Sequence, residues 1–194
     1  MFWLEINPNF GKKTMEIATE KLIQDLVERT RININQAEKF SSLSDEKLNH
    51  RPGPESWSIL ECIEHLNLYG DFYIPEINNC ITKSKTSSKE TFKAGILGNY
   101  FAKTMLPKDK LNKMKTFSDK NPIGSTLDKT TLQRFLTQQE QLLDLLNKSG
   151  EIDLNKTKTA ISISRWIRLK LGDTFRVVIY HNDRHMVQAN KILE

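Results

Sequence analysis

Apolar residues recur every three or four positions along most of this chain, and that spacing confines it to a helical fold. From Lys12 to about Phe40 they fall at Met15, Ala18, Leu22 and Leu26, then less regularly at Ile32, Ile34 and Ala37. One face of an α-helix repeats on that period, so the segment predicts a long amphipathic helix. A connector from Ser41 to Trp57 follows, in which Pro52-Gly53-Pro54 rules out a continuous helix. Ser58-Ile59-Leu60-Glu61 is then a capping box, the Ser hydroxyl and Glu carboxylate each satisfying an orphaned backbone N–H. The second helix runs on through Ile63, Leu66, Tyr69 and Phe72 towards Ile81, with Pro75 predicting a kink or local break. Trp57, just ahead of the cap, is placed to pack on Cys62 as a hydrophobic staple.

A third helix is expected from Leu127 to Asn147, burying Leu132, Phe135, Leu136, Leu142, Leu143 and Leu146, with Gly150 as its C-cap. The last begins near Leu171 or Asp173 and carries Phe175, Val178, Ile179, Met186, Ala189 and Ile192. Between the second and third helices, Ser84 to Ser125 is Ser/Thr/Lys-rich. It still holds a short helical stretch at Ile96–Ala102, ending near Pro107, and enough apolar residues (Phe92, Tyr100, Phe101, Met105, Met114, Phe117) to be packed. Strand-like alternation is nearly absent. The expected fold is all-α: a four-helix bundle, with a long, partly helical connector between the second and third long helices, in one domain over residues 1–194.

Composition narrows the function. No apolar run approaches the roughly 20 residues of a membrane span, and Met1-Phe2-Trp3-Leu4-Glu5-Ile6 is too short for a secretory signal core. Cys62 and Cys80 lie on one predicted helix, about 27 Å of rise apart, beyond the roughly 7 Å a disulfide spans. A reduced, cytoplasmic setting is expected. Lys+Arg 29 against Asp+Glu 24 leaves +5, much of it from Lys83, Lys85, Lys89, Lys93, Lys108, Lys110, Lys113 and Lys115. Without interleaved aromatics or a zinc-finger or RRM signature, this segment reads as solvated basic surface, with neither nucleic acid nor membrane as partner.

The four histidines are the chemical signal. His181 and His185 stand at i and i+4, so two imidazoles share a helical face and can grip one transition-metal ion. His65, in line with Cys62, Tyr69 and Phe72 on its own helix, is the natural third ligand. The same placement also suits hydrogen-bonded core histidines. His50 sits in the polar connector and reads as solvated. Asn182 follows His181 where the zinc proteases place a general-base Glu, so peptide hydrolysis of that type is not expected. Gln188 is placed to hydrogen-bond a ligand or substrate or to make a plain polar contact between helices, and Tyr69 to line a pocket or the core. Arg184 reads as a surface or ion-pairing residue, Glu61 as a cap, Glu64 as solvent-facing and Cys62 as a buried structural thiol.

Arg51-Pro52-Gly53-Pro54-Glu55-Ser56-Trp57-Ser58-Ile59-Leu60-Glu61-Cys62-Ile63-Glu64-His65-Leu66, together with His181-Asn182-Asp183-Arg184-His185-Met186-Val187-Gln188, resembles the DinB-like (YfiT-like) superfamily. The resemblance implies a four-helix bundle with a metal held by one His of the second helix and two of the fourth, here His65, His181 and His185. It implies a divalent transition metal, zinc or nickel foremost, activating water or a low-molecular-weight thiol for hydrolysis or S-transfer on a small-molecule substrate. Relatives often pair, which makes a homodimer the expected assembly. The alternative is a non-catalytic bundle that binds a metal or small ligand as a stress or detoxification accessory.

Overall fold

The computed structural model describes residues 14–107 and 116–194. The expected helix start at Lys12, the Met1–Ile6 segment, and Lys108, Lys110, Lys113, Met114 and Lys115 lie outside them. Among the described residues four long helices dominate: α1 (Thr19–Ser41), α3 (Ile59–Thr82), α5 (Thr130–Ser149) and α6 (Leu171–Asn190). A short α2 (Asp45–Asn49) interrupts the first connector, and α4 (Ile96–Met105) the second. No helix among them is long and apolar enough to cross a membrane.

The helices pack in an order that the connectors make possible. Both α1 and α3 pack against both α5 and α6, so going round the bundle the order is α1, α5, α3, α6. Helices consecutive along the chain, α1 with α3 and α5 with α6, therefore lie across the diagonals. A short loop joins antiparallel neighbours; reaching a diagonal position takes a longer connection. That is the geometric reason for the inserted segments, and it brings α3 beside α6.

The capping box forms as expected, and α3 continues past Pro75 to Thr82. Strands are where expectation and structure part. Glu16–Ala18 (β1), expected as helix, instead pairs antiparallel with Thr91–Lys93 (β2), placing Ile17 opposite Phe92. Thr19 fixes the junction: its backbone N–H donates to the Glu90 carbonyl (2.8 Å) and its hydroxyl to that of Lys89 (2.6 Å). Lys158–Ile161 (β3) and Ser164–Lys170 (β4) form a second antiparallel ribbon with an irregularity at Ala160/Ile161. Their β-branched residues (Thr159, Ile161, Ile167) suit a pleated surface, but strands of three to seven residues are too short for the two-residue period to stand out. Gly150 caps α5 in right-handed geometry, so the left-handed freedom of glycine is not what ends that helix.

Two apolar clusters hold the bundle. One gathers Leu22, Leu26, Tyr73, Ile77, Phe92, Leu142 and Phe175; the other Phe40, Leu48, Leu60, Ile63, Phe135 and Met186. Between them the helices bury polar side chains: Thr30 and Asn33 on α1, Gln138 and Gln139 on α5, Asn182 on α6. This overturns the expected phase of α1, because Ile32 is 55% exposed and Asn33 takes the inward place. Each polar group is satisfied, as burial demands: Asn33 donates to Asp183 (2.9 Å), Asn182 to Gln139 (2.9 Å) and Gln138 to the Asn67 carbonyl (3.2 Å).

A buried ion pair pins α4 to α6. The Asp173 carboxylate accepts from the Gly95 N–H (2.7 Å) and Arg176 (3.0 Å), and Arg176 also donates to Asn99 (3.0 Å). Next to Asp173, Gly172 lets the Phe92 ring approach. A Cβ there would lie 2.5 Å from the ring of a fully buried phenylalanine. Gly172→Ala is therefore expected to destabilise the fold by about 1–3 kcal/mol, read as a lower urea midpoint at unchanged m-value.

Candidate metal centre

The site is built on the first turns of α3 and the middle of α6. Ser58 Oγ accepts from the Glu61 N–H (3.2 Å) and Glu61 Oε2 from the Ser58 N–H (2.8 Å), closing the capping box. The same carboxylate takes three further donations: two from Arg51, one of them at 2.9 Å, and one from the Gly124 N–H (2.7 Å). Gly124 needs its φ of 83°, a left-handed conformation that suits glycine. Glu61 thus ties the segment 118–124 to the start of α3.

That tether orients His65. Its Nδ1–H donates to the Lys120 carbonyl at 2.6 Å, which leaves the Nε2 lone pair facing the bundle interior. On α6, His185 Nδ1 likewise donates to Gln188 Oε1 at 3.0 Å. The three Nε2 atoms meet: His181 lies 3.2 Å from His65 and 3.1 Å from His185. All three candidate donor atoms fall within 4.8 Å of one another. Tetrahedral zinc with Zn–N near 2.05 Å separates two ligand nitrogens by roughly 3.3–3.4 Å, and both separations from His181 lie within a few tenths of an ångström of that.

Electrostatics keeps the imidazoles neutral. Burial lowers His65 to about 4, with the Lys120 carbonyl acting in the opposite sense. Burial, together with the neighbouring imidazoles, holds His181 and His185 well below the ordinary histidine value. Neutral imidazole is the ligating form. Around the cluster, the Trp57 ring lies 4.7 Å from His65 and 5.7 Å from His185, and its Nε1–H donates to Asn121 (3.1 Å). Tyr69 sets its ring edgewise to His65 (5.0 Å) and His181 (4.9 Å), and burial pushes its hydroxyl up to about 12. A cavity of about 1180 Å³ opens from the imidazoles.

The structure gathers His65, His181 and His185, places Tyr69 and Gln188 on the cavity wall, and leaves His50 exposed elsewhere. Cys62 is fully buried in an apolar cluster, outside the imidazole group, and burial raises its thiol pKa. Two expectations need correction. Glu64 does not face solvent but pairs with Arg134 (3.1 Å), because α5 packs beside it. Arg184 is buried in the cavity wall rather than at the surface, and burial lowers its pKa. Trp57 does sit against the cluster containing Cys62, yet its ring also covers the imidazoles, a role its position beside the cap could have suggested. The Lys120 carbonyl carries no side-chain signal and was not legible.

Helices, diagonal connectivity and a histidine cluster shared by α3 and α6 define a bundle with a buried nitrogen-donor site. The DinB superfamily matches residues 26–189, and the chain belongs to that superfamily. A solved structure described as "YfiT from Bacillus subtilis is a probable metal-dependent hydrolase with an unusual four-helix bundle topology" is similar in fold. Its TM-score is 0.51 at 13% sequence identity, covering 90% of this chain and 85% of that one. No curated protein matches the sequence.

The neutral imidazoles set a pH dependence. Unfolded His65 binds a proton near pH 6.5 and folded His65 only near 4, so acid favours the unfolded chain. Through His65, stability of metal-free protein is expected to fall by about 3 kcal/mol as pH drops from 6.5 towards 4, that contribution levelling off below. Urea midpoints across this range should show a shallower slope for His65→Gln than for the unaltered protein.

Proposed function

We propose that this chain holds one divalent transition-metal ion on His65, His181 and His185 and uses it on a small molecule bound in the adjoining cavity, by hydrolysis or by transfer of a low-molecular-weight thiol. The observation that carries this reading is the convergence of three uncharged imidazoles on one point, two of them with their N–H groups engaged on the far side. Histidines kept for packing gain nothing from aiming their nitrogens together. Membership of the DinB superfamily supports the reading, as does a fold shared with a protein described as a probable metal-dependent hydrolase. Zinc and nickel both suit such a donor set.

When bound, a divalent ion supplies Lewis acidity at this point, lowering the pKa of water towards 7 or ionising a thiol outright. The residues of the chain supply the rest. His65 and His185 are held in one tautomer by Lys120 and Gln188, so no reorganisation is needed to present their lone pairs. The Trp57 and Tyr69 rings exclude bulk water from two sides of the cluster. Tyr69 stays protonated at neutral pH and offers an O–H donor rather than a base. Asn182, where the zinc proteases carry their glutamate, is engaged with Gln139 and offers no base.

Protein purified without a histidine tag should contain close to one zinc or nickel per chain. His65→Ala or His181→Ala should abolish that content, and Gln188→Ala should weaken binding about 10–100-fold. Metal-loaded protein, given a low-molecular-weight thiol and an electrophile, or an activated ester alone, should turn over in a chelator-sensitive way that His181→Ala removes. Metal binding with no turnover in either assay would favour the non-catalytic binding module.

A further inference from the structure

The cavity is larger than metal chemistry on a small polar molecule requires. Pockets for drug-sized ligands run to roughly 300–1,000 Å³, and this one is about 1180 Å³. It also has a direction. From His65 to Tyr73, α3 climbs eight residues, about 12 Å, and at the far level the Tyr73 hydroxyl meets Ser162 of the β3–β4 ribbon (3.3 Å to its N–H, 3.4 Å to its Oγ). Over that distance the wall includes Ile74, Phe101, Met105, Val177, Ile161 and Leu169.

Three polar groups reaching this stretch already have partners within the protein. Tyr73 is bonded to Ser162, Gln138 to the Asn67 carbonyl and Asp71, and Thr104 to the Phe101 carbonyl. Polar residues concentrate at the imidazole end instead, where Glu55, Ser56, Arg184, Gln188 and Lys191 line the cavity. At the ribbon end Ile163 is both a wall residue and 52% exposed, so the apolar stretch reaches the surface there.

We infer that the substrate is an amphiphile: a polar reactive head at the imidazoles joined to an apolar arm, alkyl or acyl, that runs about 12 Å along α3 to the β3–β4 ribbon. This rests on the proposed reading of the imidazole end as the reacting end. The arm gains affinity by leaving water for a largely apolar wall on which Tyr73, Gln138 and Thr104 already have partners. A long polar substrate finds Tyr73, Gln138 and Thr104 already engaged along the same wall. Ile163 stands where the arm ends and therefore sets the preferred chain length.

Straight-chain alkyl hydroxamates, from butano- to dodecanohydroxamate, test the arm and the head separately by calorimetry. In metal-free protein, affinity should rise up to about fourfold per methylene and flatten once the chain passes the ribbon. Ile163→Asp, at a half-exposed position, should weaken the dodecyl member at least tenfold and leave the butyl member unchanged. Trp166→Ala, at a residue 95% exposed and outside the cavity wall, should change nothing. A series without chain-length dependence in metal-free protein overturns the inference, as does length dependence lost in Trp166→Ala and kept in Ile163→Asp. Zinc loading reads the head alone: a uniform gain across the series supports the metal reading. No gain, with the length dependence intact, removes that reading and leaves the arm standing.

Discussion

Two hydrogen bonds on the far sides of the imidazoles decide what the middle of this bundle can do. A neutral imidazole has one N–H and one lone pair. Committing the Nδ1–H of His65 to the Lys120 carbonyl, and that of His185 to Gln188, leaves both Nε2 lone pairs pointing inward. His181 Nε2, 3.1–3.2 Å from both, is then the nitrogen able to donate to its neighbours when it carries the proton. Presenting that nitrogen to an ion requires the His181 proton to sit on Nδ1 instead, so uptake of an ion there would shift a tautomer and, the imidazoles being neutral already, release no proton. The bond from His65 depends in turn on Glu61. Its carboxylate starts α3 and holds the Gly124 N–H, so helix start and carbonyl position are fixed by one side chain.

The order of helices round the bundle gives the cluster its address. With α1 and α3 on one diagonal and α5 and α6 on the other, α3 faces α6 directly, and residues near the start of one meet residues in the middle of the other. Sequential up-and-down packing would have placed α5 and α6 side by side and α3 across from α6. The connectors that allow the diagonal order also furnish the site. The segment carrying Lys120 and Asn121 supplies a carbonyl to His65 and an acceptor to Trp57, α4 supplies Phe101 and Met105, and the β3–β4 ribbon supplies Ile161 and Ile163.

Legibility followed the strength of the physical signal. Helices of 20 residues or more with apolar positions every three or four were readable, as was the capping box at Ser58 and Glu61, whose two bonds are local. The three histidines were readable because imidazoles are rare in the chain and two share a helical face. The ribbons were not, because Ile17 finds Phe92 across 75 residues and three-residue strands carry no periodicity. The phase of α1 failed at Ile32 for a different reason: a hydrophobic pattern cannot anticipate a layer where the bundle buries Thr30 and Asn33. Glu64 was misplaced because its partner, Arg134, lies on a neighbouring helix rather than one turn away.

That polar layer explains how a bundle tolerates a large cavity at its centre. Apolar burial is concentrated on either side of it, around Phe92, Phe175 and Leu142 at one end and around Phe40, Phe135 and Leu60 at the other. Side chains between them are held by specific bonds, Asn33 to Asp183 and Asn182 to Gln139, and do not have to fill space. Helix spacing at the imidazoles is thus set from above and below by close-packed clusters. Donor atoms fixed in this way are pre-organised, and an ion or substrate arriving there does not have to order the fold that receives it.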